Sequence, residues 1–179
     1  MNGGGAKDNW QKALMQCFPH LFGRGGYPTV GRGWLDVLDR ALGRIDTVVA
    51  FEGAGSWIRI VQIKQKFGTI RIYFEHNRDF SAEGLAVIGE VIELAEARSA
   101  CTCEECGARG RLYVRDGWVA SRCEDHAEGE PFRIRPGWEG LYVKTTYRAG
   151  SRVVSCRRYD RDIDVFDEVP LPSAFDDED

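Results

Sequence analysis

Apolar residues return at helical spacing in three stretches of this chain and alternate with polar ones in others, and that rhythm predicts its elements. Trp10, Ala13, Leu14, Cys17 and Phe18 share one face of a first helix, with Gln11, Lys12 and Gln16 opposite. Asp8 or Asn9 stands at the cap position, and Pro19 ends the helix. Leu21 and Phe22 continue the core contact through a short turn. Residues 23–33 hold five glycines and one proline, which predicts a loop. Arg24 and Arg32 would let that loop cradle a phosphate. It matches no P-loop or dinucleotide fingerprint, so a plain connector is expected. A second helix is predicted from Trp34 to Ile45, with Trp34, Val37, Leu38, Ala41, Leu42 and Ile45 on its buried face.

Thr47–Phe51 reads as a short buried strand. The strongest β signal follows: Trp57–Lys66, a turn at Phe67-Gly68, and Thr69–Glu75. Ile70, Ile72 and Phe74 alternate with Arg71, Tyr73 and Glu75, as one face in and one face out requires. The first strand changes phase near Ile60-Val61, which predicts a bulge or burial on both faces. Ser81 caps a third helix, with Glu83 in its first turn and Leu85, Ile88, Val91, Ile92 and Ala95 buried. Leu141–Tyr147 and Arg152–Tyr159 predict a second hairpin around Ala149-Gly150.

The third helix delivers the chain to its most specific motif. Cys103-Glu104-Glu105-Cys106 is followed, after sixteen residues, by Cys123-Glu124-Asp125-His126. Two donor pairs, each with two residues between, fit one tetrahedral metal. Gly107 suits the positive φ of a knuckle, and Asp116-Gly117 between β-formers predicts the hairpin that brings the second pair back to the first. Cys103, Cys106, Cys123 and His126 are therefore the expected ligands of a structural Zn2+, since four protein donors leave no open coordination position. Cys101 is a spare thiol; it would replace Cys103 only in a register shift, and one intervening residue makes the two a poor pair.

These elements add up to an α+β fold: a small antiparallel sheet with N-terminal helices, one central helix and a Cys3His zinc ribbon. Four segments are expected: a disordered 1–7, an α+β domain over 8–128 that includes the ribbon at 101–128, a β-rich basic extension over 129–159, and an acidic, disordered tail over 160–179. The 179 residues suffice for one core plus a small appendage. No apolar run reaches the length of a membrane span and the start has no signal-peptide core, so a cytoplasmic protein with no membrane association is expected. Reduced thiols fit that compartment. The net charge of −4 hides an asymmetry. Residues 131–159 carry seven bases and one acid, and residues 160–179 carry nine acids and one base. The tail could fold back and screen the basic segment, mimic nucleic acid towards a partner, or serve simply as a solubilising tail.

A resemblance rests on several of these stretches together. Val61–Tyr73, a helix ending at Ser99, Cys103-x-x-Cys106-Gly107, and Trp118 before Cys123-x-x-His126 resemble a group of small uncharacterised bacterial and phage proteins. There a Lys-Glu-Lys-Phe-Gly-x-Leu-Arg-Phe-Tyr-like hairpin precedes a zinc knuckle. Phe18-Pro19 and Gly33-Trp34 are also similar. The resemblance covers roughly residues 10–126, and Gln65 stands where the group usually has Glu, which speaks against an essential carboxylate there. It implies a zinc-binding protein of phage or prophage origin and implies no activity.

Three functions are compatible with these residues. The first is a non-enzymatic protein-interaction factor, with Lys64, Lys66 and Arg71 as a basic partner face; the plain alternative is a solvated sheet face. The second is a nucleic-acid-binding protein using that face or the basic segment 131–159. Trp57, Tyr113 and Trp118 would serve core packing or base stacking equally. The third is a Mg2+-dependent nuclease, since Gln62-x-Lys64 after Asp46 and Glu52 resembles an acid followed by a Glu/Gln-x-Lys pair. A zinc deaminase is disfavoured, because its His-x-Glu and Pro-Cys-x-x-Cys pair is absent. His20 and His76 lie apart from any nucleophile with supporting residues.

Overall fold

The structure, a computed structural model, describes residues 9–23, 25–148 and 150–172. The expectations placed on residues 1–7, Asp8, Arg24, Ala149 and the last seven residues lie outside that range. The fold is α+β. Helix α1 spans Trp10–Cys17 and buries Trp10 and Leu14. Asn9 occupies its cap position without a side-chain bond. In the glycine-rich stretch that follows, Pro28–Thr29 forms a two-residue strand, β1, and Arg32–Trp34 a single 3-10 turn.

Helix α2 runs Leu35–Glu52, so the strand expected at Thr47–Phe51 does not form. Val48 and Val49 continue the stripe of Ile45 at three and four residues on, and both pack on the core. Burial along a helical face thus outweighs the β preference of a Thr-Val-Val run, which is worth at most about 1 kcal/mol. Gly53, at φ 89°, ends the helix.

Strands β2 (Ile58–Lys66) and β3 (Thr69–His76) form the antiparallel hairpin, with β1 parallel to β2 at the edge. The phase change is a bulge. Ile60 faces Phe74 and Gln62 faces Tyr73, which leaves Val61 as the extra residue. Both turn residues, Phe67 and Gly68, have positive φ, 53° and 75°; that is the primed turn whose twist suits a hairpin. Helix α3 (Ala82–Ala100) starts at Ser81, whose Oγ accepts from the Gly84 N–H at 2.9 Å. The Glu52 carboxylate at the end of α2 accepts from the Ser81 N–H at 2.8 Å, so the end of one helix holds the start of the next. Helices α2 and α3 lie side by side and cover one face of the β1–β2–β3 sheet. Trp34, Leu38, Leu42, Ile45, Ile60, Ile63 and Ile88 are fully enclosed there, each contributing about 1.5–3 kcal/mol of burial.

Two further sheets follow. Strands β4 (Arg111–Arg115) and β5 (Trp118–Arg122) make the hairpin of the Cys-rich segment, and β6 (Glu130–Pro131) pairs with β4. Asp116 and Gly117 form its turn with φ of 51° and 79°. Strands β7 (Leu141–Arg148), β8 (Ser151–Asp160) and β9 (Val165–Glu168) form the third sheet. Within residues 160–172, expected as part of a disordered tail, Asp160 ends β8, residues 161–164 form a turn and Val165–Glu168 form β9. Asp167 and Glu168 stand opposite Arg158 and Arg157 in the ladder, so opposite charges across two strands favour the ordering that a free acidic tail would lack. The basic extension is also folded back. Arg157 pairs with Glu90 at 2.9 Å and with Glu93, and Lys144 pairs with Glu93, all on α3. Among the described residues, no helix is long and apolar enough to cross a membrane.

Candidate metal centre

The knuckle begins where α3 unwinds. The Cys103 N–H donates to the Ala108 carbonyl at 2.8 Å and the Gly107 N–H to the Cys103 carbonyl at 2.9 Å. Gly107 takes φ 80°, as a turn this tight needs. The second pair sits on a short 3-10 turn, Glu124–His126, entered directly from β5. Cys103, Cys106, Cys123 and His126 are thereby brought together, with all four donor atoms within 4.8 Å of one another.

The spacing fits a single ion. A tetrahedral centre with metal–sulfur bonds of about 2.3 Å has sulfur–sulfur edges of about 3.8 Å. The Cys106 and Cys123 sulfurs are 3.7 Å apart. His126 presents Nδ1, at 3.7 Å from the Cys103 sulfur and 3.2 Å from that of Cys123. Burial pushes the Cys103 thiol up, but the Cys123, Cys106 and Glu105 backbone N–H groups hold it down at about 7. At Cys106 the Ala108 N–H lowers the thiol pKa, and the neighbouring Cys103 and Cys123 sulfurs together with desolvation outweigh it and raise it. Thiol sulfurs gathered this closely, deprotonated, are the condition a shared cation relieves. Cys101 stays outside the group. Its thiol donates to the Ala97 and Arg98 carbonyls and is raised by burial.

Sequence reasoning missed the residues that dock this knuckle to the core. The Gly33 N–H donates to the Glu104 carbonyl at 2.8 Å, and the Gly31 N–H to the Glu104 carboxylate at 3.0 Å. The same carboxylate pairs with Arg122 of β5 at 3.2 Å. A Cβ on Gly33 would lie 2.2 Å from the Cys103 carbonyl oxygen, so the two backbones touch. The Trp34 indole N–H donates to the Thr102 carbonyl at 2.8 Å, which the Ser121 hydroxyl also reaches. From the sheet, Gln65 donates to the Val119 carbonyl at 2.6 Å. Gly33-Trp34 is visible in the sequence as a Gly beside a core Trp; its contact with a segment seventy residues away is not.

The three basic residues proposed as a face share one hairpin but not one environment. Arg71 pairs with Glu96 of α3 at 2.7 Å. Lys64 lies over the Tyr73 ring at 5.1 Å and Lys66 over that of Phe67 at 5.4 Å. Arg71 is thus engaged with the helix, and the two lysines remain at the surface. Of the three aromatics compatible with packing or stacking, Tyr113 is buried, Trp57 partly exposed and Trp118 66% exposed. Glu52 is held by Ser81, and Asp46 lies in α2 against His20. Among the described residues, the Cys3His group is the one gathering of three or more such donors. Comparison of the chain with protein-family models, with curated protein sequences and with solved structures found no match.

Proposed function

We propose that the chain is a non-enzymatic, zinc-stabilised interaction protein of the cytoplasm. Cys103, Cys106, Cys123 and His126 hold Zn2+ as a closed structural centre, and the surface so positioned engages a protein partner. The observation that carries this reading is the docking of the knuckle: its own backbone bonds to the loop before α2, so a metal there sets the relation of hairpin to core rather than opening a reactive site. Three thiolates and an imidazole favour zinc over magnesium or calcium, which take oxygen donors. The partner surface proposed is the pair of hairpin tips. Phe67 and Trp118 are 67% and 66% exposed, and a Cβ on Gly68 would lie 3.0 Å from a Val119 methyl, so the two hairpins approach each other closely beside them. Exposed Trp and Phe are the side chains on which interfaces concentrate their energy. The resemblance drawn above supports a phage or mobile-element accessory role.

The metal assignment is tested by elemental analysis of the purified chain. One zinc per chain is expected, lost in Cys106→Ser and kept in Cys101→Ser; full zinc in the first variant would refute the ligand set. The partner assignment is tested by pull-down with and without nuclease. Protein recovered after nuclease treatment by the wild type and lost with Trp118→Ala supports the reading.

A second reading, nucleic-acid binding, is favoured by a different observation: Arg133, Arg135, Arg158 and Arg161 converge with Arg109 and Arg111 around one cleft. In that reading a pull-down loses its partner on nuclease treatment.

A further inference from the structure

The cleft lies where α3, the metal hairpin and the third sheet meet, and its volume is about 970 Å³. That is the upper end for small-molecule sites, which span about 300–1,000 Å³. Its floor is apolar, formed by Ala97 and Ala100 of α3, Leu112 of β4, and Leu141 and Tyr142 of β7. Its rim is cationic. Among the described residues, six arginines line it against two aspartates, Asp160 and Asp167, and no lysine does.

Two of these arginines are poorly compensated. Arg109 pairs with Asp162 at 3.2 Å, but both side chains are more than two-thirds exposed, and such pairs contribute little. The Arg161 Nε is buried and has no hydrogen-bond acceptor among the described residues. A buried donor left unmade is a cost that an incoming acceptor removes.

The strap between β6 and β7 gives the cleft its other chemistry. Phe132-Arg133-Ile134-Arg135 alternates apolar and cationic side chains, and all four reach the lining. Phe132 is 45% exposed. The Arg135 guanidinium lies 5.6 Å over the Trp138 ring, which makes a flat cationic stack. A turn holds it: the Trp138 N–H donates to the Arg135 carbonyl at 3.0 Å. Arginine pairs bidentately with phosphate and stacks on rings, where lysine is only a point charge. Aromatic faces interleaved with such cations suit unpaired bases on a phosphate chain. An acidic peptide would use the charge and leave the flat faces without a purpose.

We propose that this cleft binds a short run of single-stranded nucleic acid, with bases stacked on Phe132 and on the Arg135–Trp138 pair and phosphates held by the rim arginines. The proposal rests on the second reading above and names its site and its ligand.

The test is fluorescence anisotropy with the full, zinc-loaded chain and labelled mixed-sequence DNA and RNA ten-mers, titrated across salt. Phe132→Ala and Arg133→Glu change exposed side chains of the strap; zinc content and circular dichroism check that each variant folds. Lys64→Glu/Lys66→Glu marks the other basic face. Binding is expected to be weaker by about tenfold in Phe132→Ala, as for loss of one stacked base. In Arg133→Glu the salt slope is expected to fall by about 0.7 for each phosphate no longer neutralised. The lysine pair is expected to leave binding unchanged. Loss of binding in the lysine variant alone would overturn the cleft and leave the nucleic-acid reading standing on the sheet face. No binding of any oligonucleotide at low salt would end both. Equal binding of duplex, or displacement by a polyglutamate peptide with no effect of Phe132→Ala, would also overturn it.

Discussion

At the scale of single residues, Gly33 stands where the structure leaves no room for a side chain. A methyl group there would meet the Cys103 carbonyl oxygen at 2.2 Å and the Gly107 nitrogen at 2.5 Å. Both are backbone atoms of the knuckle, and neither can swing aside as a flexible side-chain end can. Gly33→Ala is therefore expected to destabilise the fold by about 3 kcal/mol, the upper range of overpacking. Urea unfolding of the zinc-loaded variant reads this directly; a midpoint equal to wild type would show that the contact yields. Gly43, which has open space around the same added atom, is the control. Gly43→Ala is expected to be neutral or slightly stabilising, because it lies inside α2 where alanine is the better helix former.

Among elements, α3 ties its neighbours together by charge, with ion pairs at Glu90, Glu93, Glu96 and Arg98. Burial pushes the Glu93 carboxyl up, but the Lys144 ammonium and the Arg157 guanidinium outweigh it and hold its pKa below the ordinary 4.5. Asp36 on α2 behaves alike: desolvation is overcome by Arg40 and Arg98, and its pKa lies below 3.8. Carboxylates depressed by folding contribute stability that is full above their unfolded values and is lost as pH falls through their folded ones. Glu96 works the other way. Burial there exceeds the pull of Arg71 and raises its pKa, so acidification favours the folded chain at that one group and offsets part of the loss. The net expectation is falling stability below about pH 4.5. Glu93→Gln should have a lower Tm than wild type at pH 7, and the two curves should converge towards pH 3. A gap that stays constant across that range would remove Glu93 from the linkage.

For the molecule as a whole, Asp164 is the latch of the C-terminal sheet. It is 5% exposed and takes φ 58°. Its carboxylate accepts from Arg44 of α2 at 2.8 Å and from the Tyr159 hydroxyl at 2.6 Å, and it faces Arg98 of α3 at 3.7 Å. One side chain thus joins both core helices to the last sheet. Asp164→Ala leaves Arg98 without that charge in a mostly buried setting and puts a β-carbon without hydrogen-bonding capacity at positive φ. A cost of about 3 kcal/mol is expected, as for breaking a buried pair. Hydrogen exchange should show it first in β8 and β9, ahead of α2 and β2. Uniform loosening of every element would mean that Asp164 supports the core and not the attachment of the sheet.

The three helices, the turns at Phe67-Gly68 and Asp116-Gly117, the Ser81 cap and the four candidate metal ligands follow from the sequence alone. Each is a local rule: a period, a turn residue or a two-residue spacing acts over a few positions. The strand expected at Thr47–Phe51 shows where local preference stops, because Val48 and Val49 gain more by continuing the buried stripe of α2 than by extending. Tertiary structure alone decided the rest. Nothing local joins Gly33 and Trp34 to a knuckle at residues 102–107, or turns Asp164 towards Arg44. Nor could a count of bases in 131–159 reveal that Arg157 is bound to α3 while Arg133 and Arg135 border a cleft with Arg109 and Arg111. Charge is a property of residues, but availability of charge depends on which partners the fold brings within about 4 Å.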